Sequence, residues 1–304
     1  MAVDPVTDHA AGPSMAGQLW ERFARLTART VSSCFRYRVT GLAAEAAFFA
    51  ILSLPPLVFG LAGAIGFVAE RFEVAQVDVL KDRVLDLASR ALTDDTVDAV
   101  IAPTLDDVLD TGRIDVISIG FILALWSGSR ALNVFIDTIT IMYGLGGERG
   151  IVKTRALSFT MYVIALLVGI VLVPLVLAGP DVTRDVVPDE LDFLQSLYWP
   201  AVLVLSVGFV ATLYHIAVPI KRRWRLALPG AAFTLTLWVF GSFFVRWVLG
   251  FSTGGTSIYG PLAAPIAVLL WLYVLSIAVL IGAAINASID DAAVHDDEGD
   301  LIER

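Results

Sequence analysis

Apolar residues gather in this chain into six runs, at about 43–69, 114–142, 156–179, 197–219, 227–249 and 259–288. Each is near or above the roughly 20 residues that a helix needs to cross the hydrocarbon core of a bilayer. Of the 304 residues 57% are hydrophobic and only 17% charged, an excess that one soluble core cannot hide. The chain therefore reads as an all-α polytopic membrane protein with six transmembrane helices.

The same arithmetic excludes several classes of function. A single cysteine, Cys34, rules out an intramolecular disulfide framework. His9, His215 and His295 lie far apart in sequence and form no zinc-type ligand cluster. Neither a cofactor nor a metal is expected, and a net charge of −9 argues against a nucleic-acid partner. Residues 1–13 are polar and acidic, without the basic start and apolar run of a secretory signal, so the first span is expected to stay in the mature protein.

Basic residues set the orientation. Arg22, Arg25, Arg29, Arg36 and Arg38 precede the first span. Arg149, Lys153 and Arg155 lie between the second and third, and Lys221, Arg222, Arg223 and Arg225 between the fourth and fifth. The opposite loops carry Arg184 alone and, at 250–258, no basic residue. By the positive-inside rule both termini are cytoplasmic. The first external loop, with Arg71, Lys81, Arg83, Arg90 and Arg113, runs against this pattern but is long enough to fold by itself and carries many acids.

Three regions flank the spans. Leu19, Trp20, Phe23, Leu26, Val31 and Phe35 recur at helical spacing among the early arginines. They describe an amphipathic helix that either lies on an anionic membrane face or packs on the protein's own cytoplasmic loops. The external loop 70–113 carries two helical stripes, one through Val77, Leu80, Val84, Leu87 and Ala91, the other through Val97, Val100, Ile101, Leu105 and Val108. Thr93 and Asp94 stand between them as break and cap. That loop is either a cap over the external mouth or a plain connector. Residues 290–304, with seven acids and one arginine, read as a disordered tail. The expected organisation is a disordered N-terminal tail (1–15), one membrane domain (16–288) and an acidic cytoplasmic tail (289–304).

Polar groups inside the spans carry the functional information, because each is costly in hydrocarbon. The second span is the least lipid-like: after 114–126 it continues through Ser127, Gly128, Ser129, Arg130, Asn133, Asp137, Thr138 and Thr140. Arg130, Asn133 and Asp137 share one helix face by their spacing of three and four. Asp137 or Glu45 of the first span could hold the guanidinium, giving either a structural polar lock or a substrate headgroup site. Glu45 precedes Pro55 and Pro56, which are expected to kink the first span. It is a candidate proton or cation handle, or else a carboxylate snorkelling to the interface or paired with Arg38. His215 and Arg246 read as interfacial side chains. Gly241 and Ser242 in the fifth span, with Gly260, Ala263, Ala264, Ala267, Gly282, Ala283 and Ala287 around the sixth, allow close helix approach. The glycine-rich stretch 251–257 lacks the lysine and helix start of a nucleotide motif.

The run Ala46, Ala47, Phe48, Phe49, Ala50, Ile51, Leu52, Ser53 and Leu54 with Pro56 resembles the first-helix signature of the YihY/BrkB family of bacterial inner-membrane proteins. Further matches follow in order: Trp126, Ser127 and Ser129 to Asn133; Tyr143 and Gly144; Tyr214 and Pro219; Trp224, Arg225 and Pro229 to Ala231; Tyr259, Gly260 and Leu262 to Ala264; Trp271 to Tyr273; Gly282, Ala283 and Asn286. The chain departs from the family pattern at Phe48 or Phe49, where tyrosine is usual, and at Ala284, where glutamate is common. A mechanism that needs that hydroxyl or carboxylate does not transfer. The resemblance implies labels of serum resistance, envelope-lipid transport and, from older usage, ribonuclease; the last fits an acidic membrane chain badly.

The expectation is a non-enzymatic, non-ATP-driven transporter or flippase of a lipid-like cell-envelope component in the bacterial inner membrane, with Glu45, Arg130, Asn133 and Asp137 as the substrate-binding face. Its partners would be membrane lipids, an anionic amphiphile as substrate, and further copies of itself in a homo-oligomer. The competing class is a structural or assembly scaffold. A transporter should enclose a polar cavity lined by Glu45, Arg130 and Asn133, whereas a scaffold can be dry. Six spans with both ends inside would permit two inverted halves, but no internal sequence repeat supports them.

Overall fold

A computed structural model of the chain describes residues 15–72, 114–178, 193–220, 222–252 and 263–302, with isolated positions 85, 102 and 103. The expected N-terminal tail and almost all of the external loop lie outside the described residues. Those described are helical: α1 (Met15–Arg36), α2 (Val39–Phe72), α3 (Ile114–Met142), α4 (Ile151–Ala178), α5 (Phe193–Ala217), a 3-10 turn (Trp224–Ala227), α6 (Leu228–Ser252) and α7 (Ala263–Ile302). Six of the helices are long and apolar enough to cross a membrane, and they coincide with the six apolar runs, the third starting earlier, at Ile151. This is an all-α, multi-pass membrane protein.

Small residues set how closely the helices pack. Ala43, Ala46 and Ala47 of α2 are fully buried, and α2 lies along α3 and α7. On α3, Gly128 sits under the Tyr162 ring of α4, where a Cβ would collide. On α6, a Cβ at Gly241 would meet Val274 of α7 and one at Gly230 would meet the carbonyl of Gly282. The small-residue pairing expected between the last two spans is therefore present, and Trp238 and Trp271 reinforce it by donating to the Leu275 carbonyl at 3.0 Å and to Ser242 at 3.3 Å. Outward positions such as Ile122, Leu203, Val204, Phe240 and Phe243 remain exposed and apolar, as lipid contact requires.

Two helix C-termini have an identifiable device. Gly144, at φ +71°, closes α3 in a Schellman arrangement, with the Leu145 amide on the Thr140 carbonyl at 3.0 Å and the Gly144 amide on Ile141 at 2.9 Å. The last carbonyls of α5 are taken by Arg149, which donates to Ile216 and Ala217 at 3.0 Å and to Val218 at 3.3 Å. A cation is also favoured there by the helix dipole. α2 stays helical through Pro55 and Pro56; the pair deprives the carbonyls of Ile51 and Leu52 of their intrahelical donors without ending the helix.

Arg29 meets Asp291 at 3.6 Å and Thr30 donates to Ser288 at 3.4 Å, so α1 and the end of α7 lie together at the end of the bundle that carries Arg149 and Arg222. One expectation is corrected here: the acidic stretch after 289 continues α7 as helix to Ile302. Asp290 is nearly buried in an ion pair with Arg222, and Asp291 has its partner on α1, so the first charges beyond the membrane are neutralised rather than repelling. α1 thus packs on the protein's own basic end by one face while Trp20, Phe23, Val31 and Phe35 stay exposed on another.

Candidate functional site

Most polar side chains of α3 are consumed by packing. Ser127 donates to the Phe49 carbonyl of α2 at 3.0 Å. Ser129 and Thr138 bond within their own helix, and Thr140 reaches both Ile136 and, at 3.2 Å, Ala217 of α5. These hydroxyls satisfy themselves inside the bundle and leave nothing for a ligand.

Arg130 differs. Its Nη2 stands 3.8 Å from Oε1 of Glu45, both side chains are 41% exposed, and its guanidinium lies 5.5 Å from the centre of the Phe49 ring. Glu45 therefore faces Arg130 rather than Arg38, and of the two candidate partners Arg130 takes Glu45. Asp137 accepts instead from Asn133, at 2.6 Å, and Asn133 in turn accepts from Ser158 of α4 at 3.4 Å. Arg130, Arg155 and Glu45 are all within electrostatic reach of Asp137, and Nη1 of Arg155 is buried without a hydrogen-bond partner among the described residues. Two cations, two anions and an amide thus converge where α2, α3 and α4 meet. Of the four expected residues, Asn133 is buried while Glu45, Arg130 and Asp137 stay at least partly open. Arg155, which sequence reading used only to fix orientation, joins them.

The Glu45 and Arg130 side chains stand on a partly open face. A cavity of about 650 Å³ lies at the basic end, between α1, the α3 terminus, Arg222 and α7. There the Arg222 guanidinium rests 5.0 Å from the centre of the Tyr143 ring. Burial pushes the Tyr143 hydroxyl up to about 12, against the opposing pull of Arg222, so it stays a donor throughout the physiological range.

A second buried network ties the other half of the bundle. Tyr214 of α5 donates to the Val279 carbonyl and shares a hydrogen with Thr234, both at 2.7 Å. Thr234 also reaches Gly230 and Ala278. Asn286 accepts from the Gly230 amide at 2.8 Å and donates to the Ala227 carbonyl at 3.1 Å. Every polar atom in this node has a partner, so its role is structural.

A family profile described as "Virulence factor BrkB" matches residues 31–301. The chain belongs to the BrkB family. A Bacillus subtilis (strain 168) protein, YfkH, whose name calls it ribonuclease-like, is 28% identical over 254 residues, covering 80% of this chain and 87% of its own. No solved structure matches. The family-like motifs have two distinct places in the fold: those from Tyr214, Pro229 to Ala231 and Gly282 to Asn286 build the buried node, while Trp126 to Asn133 runs along the open face. Among the described residues no three His, Cys, Asp or Glu side chains come together in a metal-holding group. What sequence reasoning missed in this BrkB protein was the capping role of Arg149 and the buried end of Arg155; neither leaves a periodic signal, because each acts across the fold.

Proposed function

We propose that this BrkB-family protein moves an amphiphile with an anionic headgroup across the bacterial inner membrane without ATP, the headgroup passing along the open face at α2, α3 and α4. The state of Arg130 carries this reading. A guanidinium offers five N–H donors, and at membrane depth each needs an acceptor. Among the described residues Arg130 meets one carboxylate at 3.8 Å and one ring face, and neither is a hydrogen bond. A structural lock would be short and hydrogen-bonded, and a pair at 3.8 Å is not. A phosphate or carboxylate headgroup would supply what is lacking, through two parallel hydrogen bonds.

Glu45 then acts as the resting counter-ion, holding Arg130 when no headgroup is present and giving way when one arrives. Asn133 and Asp137 lie one and two turns further toward the basic end, so the polar face extends about 10 Å along α3. Arg155 offers a second donor at that end. Pro55 and Pro56, ten residues beyond Glu45 on α2 and away from Asn133 and Asp137, loosen that helix and allow it to bend as the headgroup passes. No chemical step is involved, and the ribonuclease-like name of the Bacillus relative is not carried over, since a net charge of −9 opposes RNA. The scaffold reading expects the same bundle without transfer. The two separate when the protein is reconstituted in vesicles with a labelled anionic phospholipid: the proposal expects faster exchange between leaflets than in protein-free vesicles, and equal rates would overturn it.

A further inference from the structure

We infer that the cavity at the basic end is a binding site for a phosphoryl group attached to a small polar body, distinct from the intramembrane face and independent of the transport reading. Its volume, about 650 Å³, lies in the range of small-molecule sites and exceeds what a bare ion fills. One side is a single face of α1, where Arg29, Ser32, Ser33 and Arg36 recur at helical spacing; the other is formed by Tyr143, Arg222 and the end of α7. Guanidinium and hydroxyl donors together are the recognition chemistry of a phosphoryl oxygen.

The charges in the wall are not equally committed. Arg222 is locked to the buried Asp290 and lies over Tyr143, so it shapes the wall rather than moving. Arg36 has no ion-pair partner among the described residues. Arg29 holds Asp291 at 3.6 Å with both side chains largely exposed, a pair weak enough to exchange for a doubly charged oxyanion. Two guanidiniums on one helix face are therefore available, with Ser32 and Ser33 between them. The Tyr143 hydroxyl remains a donor beside them. The site lies where the last spanning helix leaves the membrane, so the phosphoryl group could arrive on a lipid headgroup or on a soluble ester; the chemistry recognised is the same.

The test uses the full chain in detergent and in nanodiscs, with three probes: inorganic phosphate, glycerol 3-phosphate, and phosphatidic acid in a neutral-lipid background. Binding is read by calorimetry for the soluble probes and by native mass spectrometry for the lipid. The Arg29→Gln/Arg36→Gln double variant should keep the parent's thermal midpoint, because both side chains are exposed, and lose roughly tenfold or more in affinity. Arg25→Gln, on α1 but outside the cavity, should bind like the parent. Binding of glycerol 3-phosphate that the double variant loses identifies a soluble ester as the ligand. Loss confined to phosphatidic acid identifies a lipid headgroup. No binding of any probe, or binding that survives in the double variant, overturns the proposal. Neither outcome depends on whether lipid transfer occurs.

Discussion

The side-chain oxygen of Asn286, well inside α7, accepts the backbone N–H of Gly230 at 2.8 Å. A residue of the last span thereby caps the first turn of α6, whose leading amides have no carbonyl of their own to bond. The same amide donates to Ala227 at 3.1 Å, so one side chain fixes the approach of the 3-10 turn, α6 and α7. The absence of a Cβ on Gly230 and Gly282 makes that approach possible.

Asn286→Ala should accordingly destabilise the bundle by about 1–3 kcal/mol, since it leaves a buried N–H and a buried carbonyl unpaired. Gly230→Ala should do worse, because the new Cβ meets the backbone of Gly282. Thermal unfolding in detergent measures both. An Asn286→Ala variant with the parent's midpoint would show that the bond is not a structural one.

Orientation follows from the basic loops and from the placing of α1, Arg149 and Arg222 at one end of the bundle. Reporter fusions after Arg155 and Arg225 should read cytoplasmic, and fusions near Asp95 and Asp189 external. A cytoplasmic signal near Asp95 would contradict the six-span topology.

Alkaline stability tests the packing around Tyr143. Its hydroxyl ionises near 10 when exposed and near 12 in the folded chain, so the folded state holds the proton more tightly. The contribution is therefore intact below about pH 10 and lost as pH rises toward about 12, a decline approaching about 2 kcal/mol. Tyr143→Phe should flatten that part of the unfolding-midpoint profile relative to the parent. Identical profiles would mean that the ring is solvated.

The six spans were legible because lipid solvates their flanks: apolar length alone specifies a spanning helix, and no long-range partner is required to infer one. The close approach at Gly241 was legible from its missing side chain, but its partner, Val274, was not. The partners of charged side chains were only half legible. Spacing put Arg130, Asn133 and Asp137 on one face, yet it could not decide between Glu45 and Asp137 for Arg130, since that depends on how α2 packs on α3. Composition suggested disorder after 289; the helix continues there, and its first buried acid, Asp290, is paired with Arg222, distant in sequence. The basic-end cavity was illegible for a similar reason: its walls come from opposite ends of the chain.

Replacing Pro55 and Pro56 by alanine restores two helix donors and should raise the unfolding temperature. If α2 bends during transfer, the same double variant should exchange lipid more slowly than the parent. Unchanged transfer would remove the prolines from the mechanism without touching the role of Arg130.

The most direct measurement is lipid exchange between leaflets together with thermal stability for Arg130→Lys and Arg130→Ala in reconstituted vesicles. Lysine keeps the charge but cannot offer two parallel hydrogen bonds to a headgroup. The account predicts that Arg130→Lys unfolds within a degree or two of the parent, because lysine keeps the positive charge opposite Glu45, while its exchange rate falls about tenfold or more. Arg130→Ala should be as inactive, with only a small further loss of stability. If both variants exchange lipid as fast as the parent, Arg130 merely reaches for the interface and the proposed path along α3 is wrong.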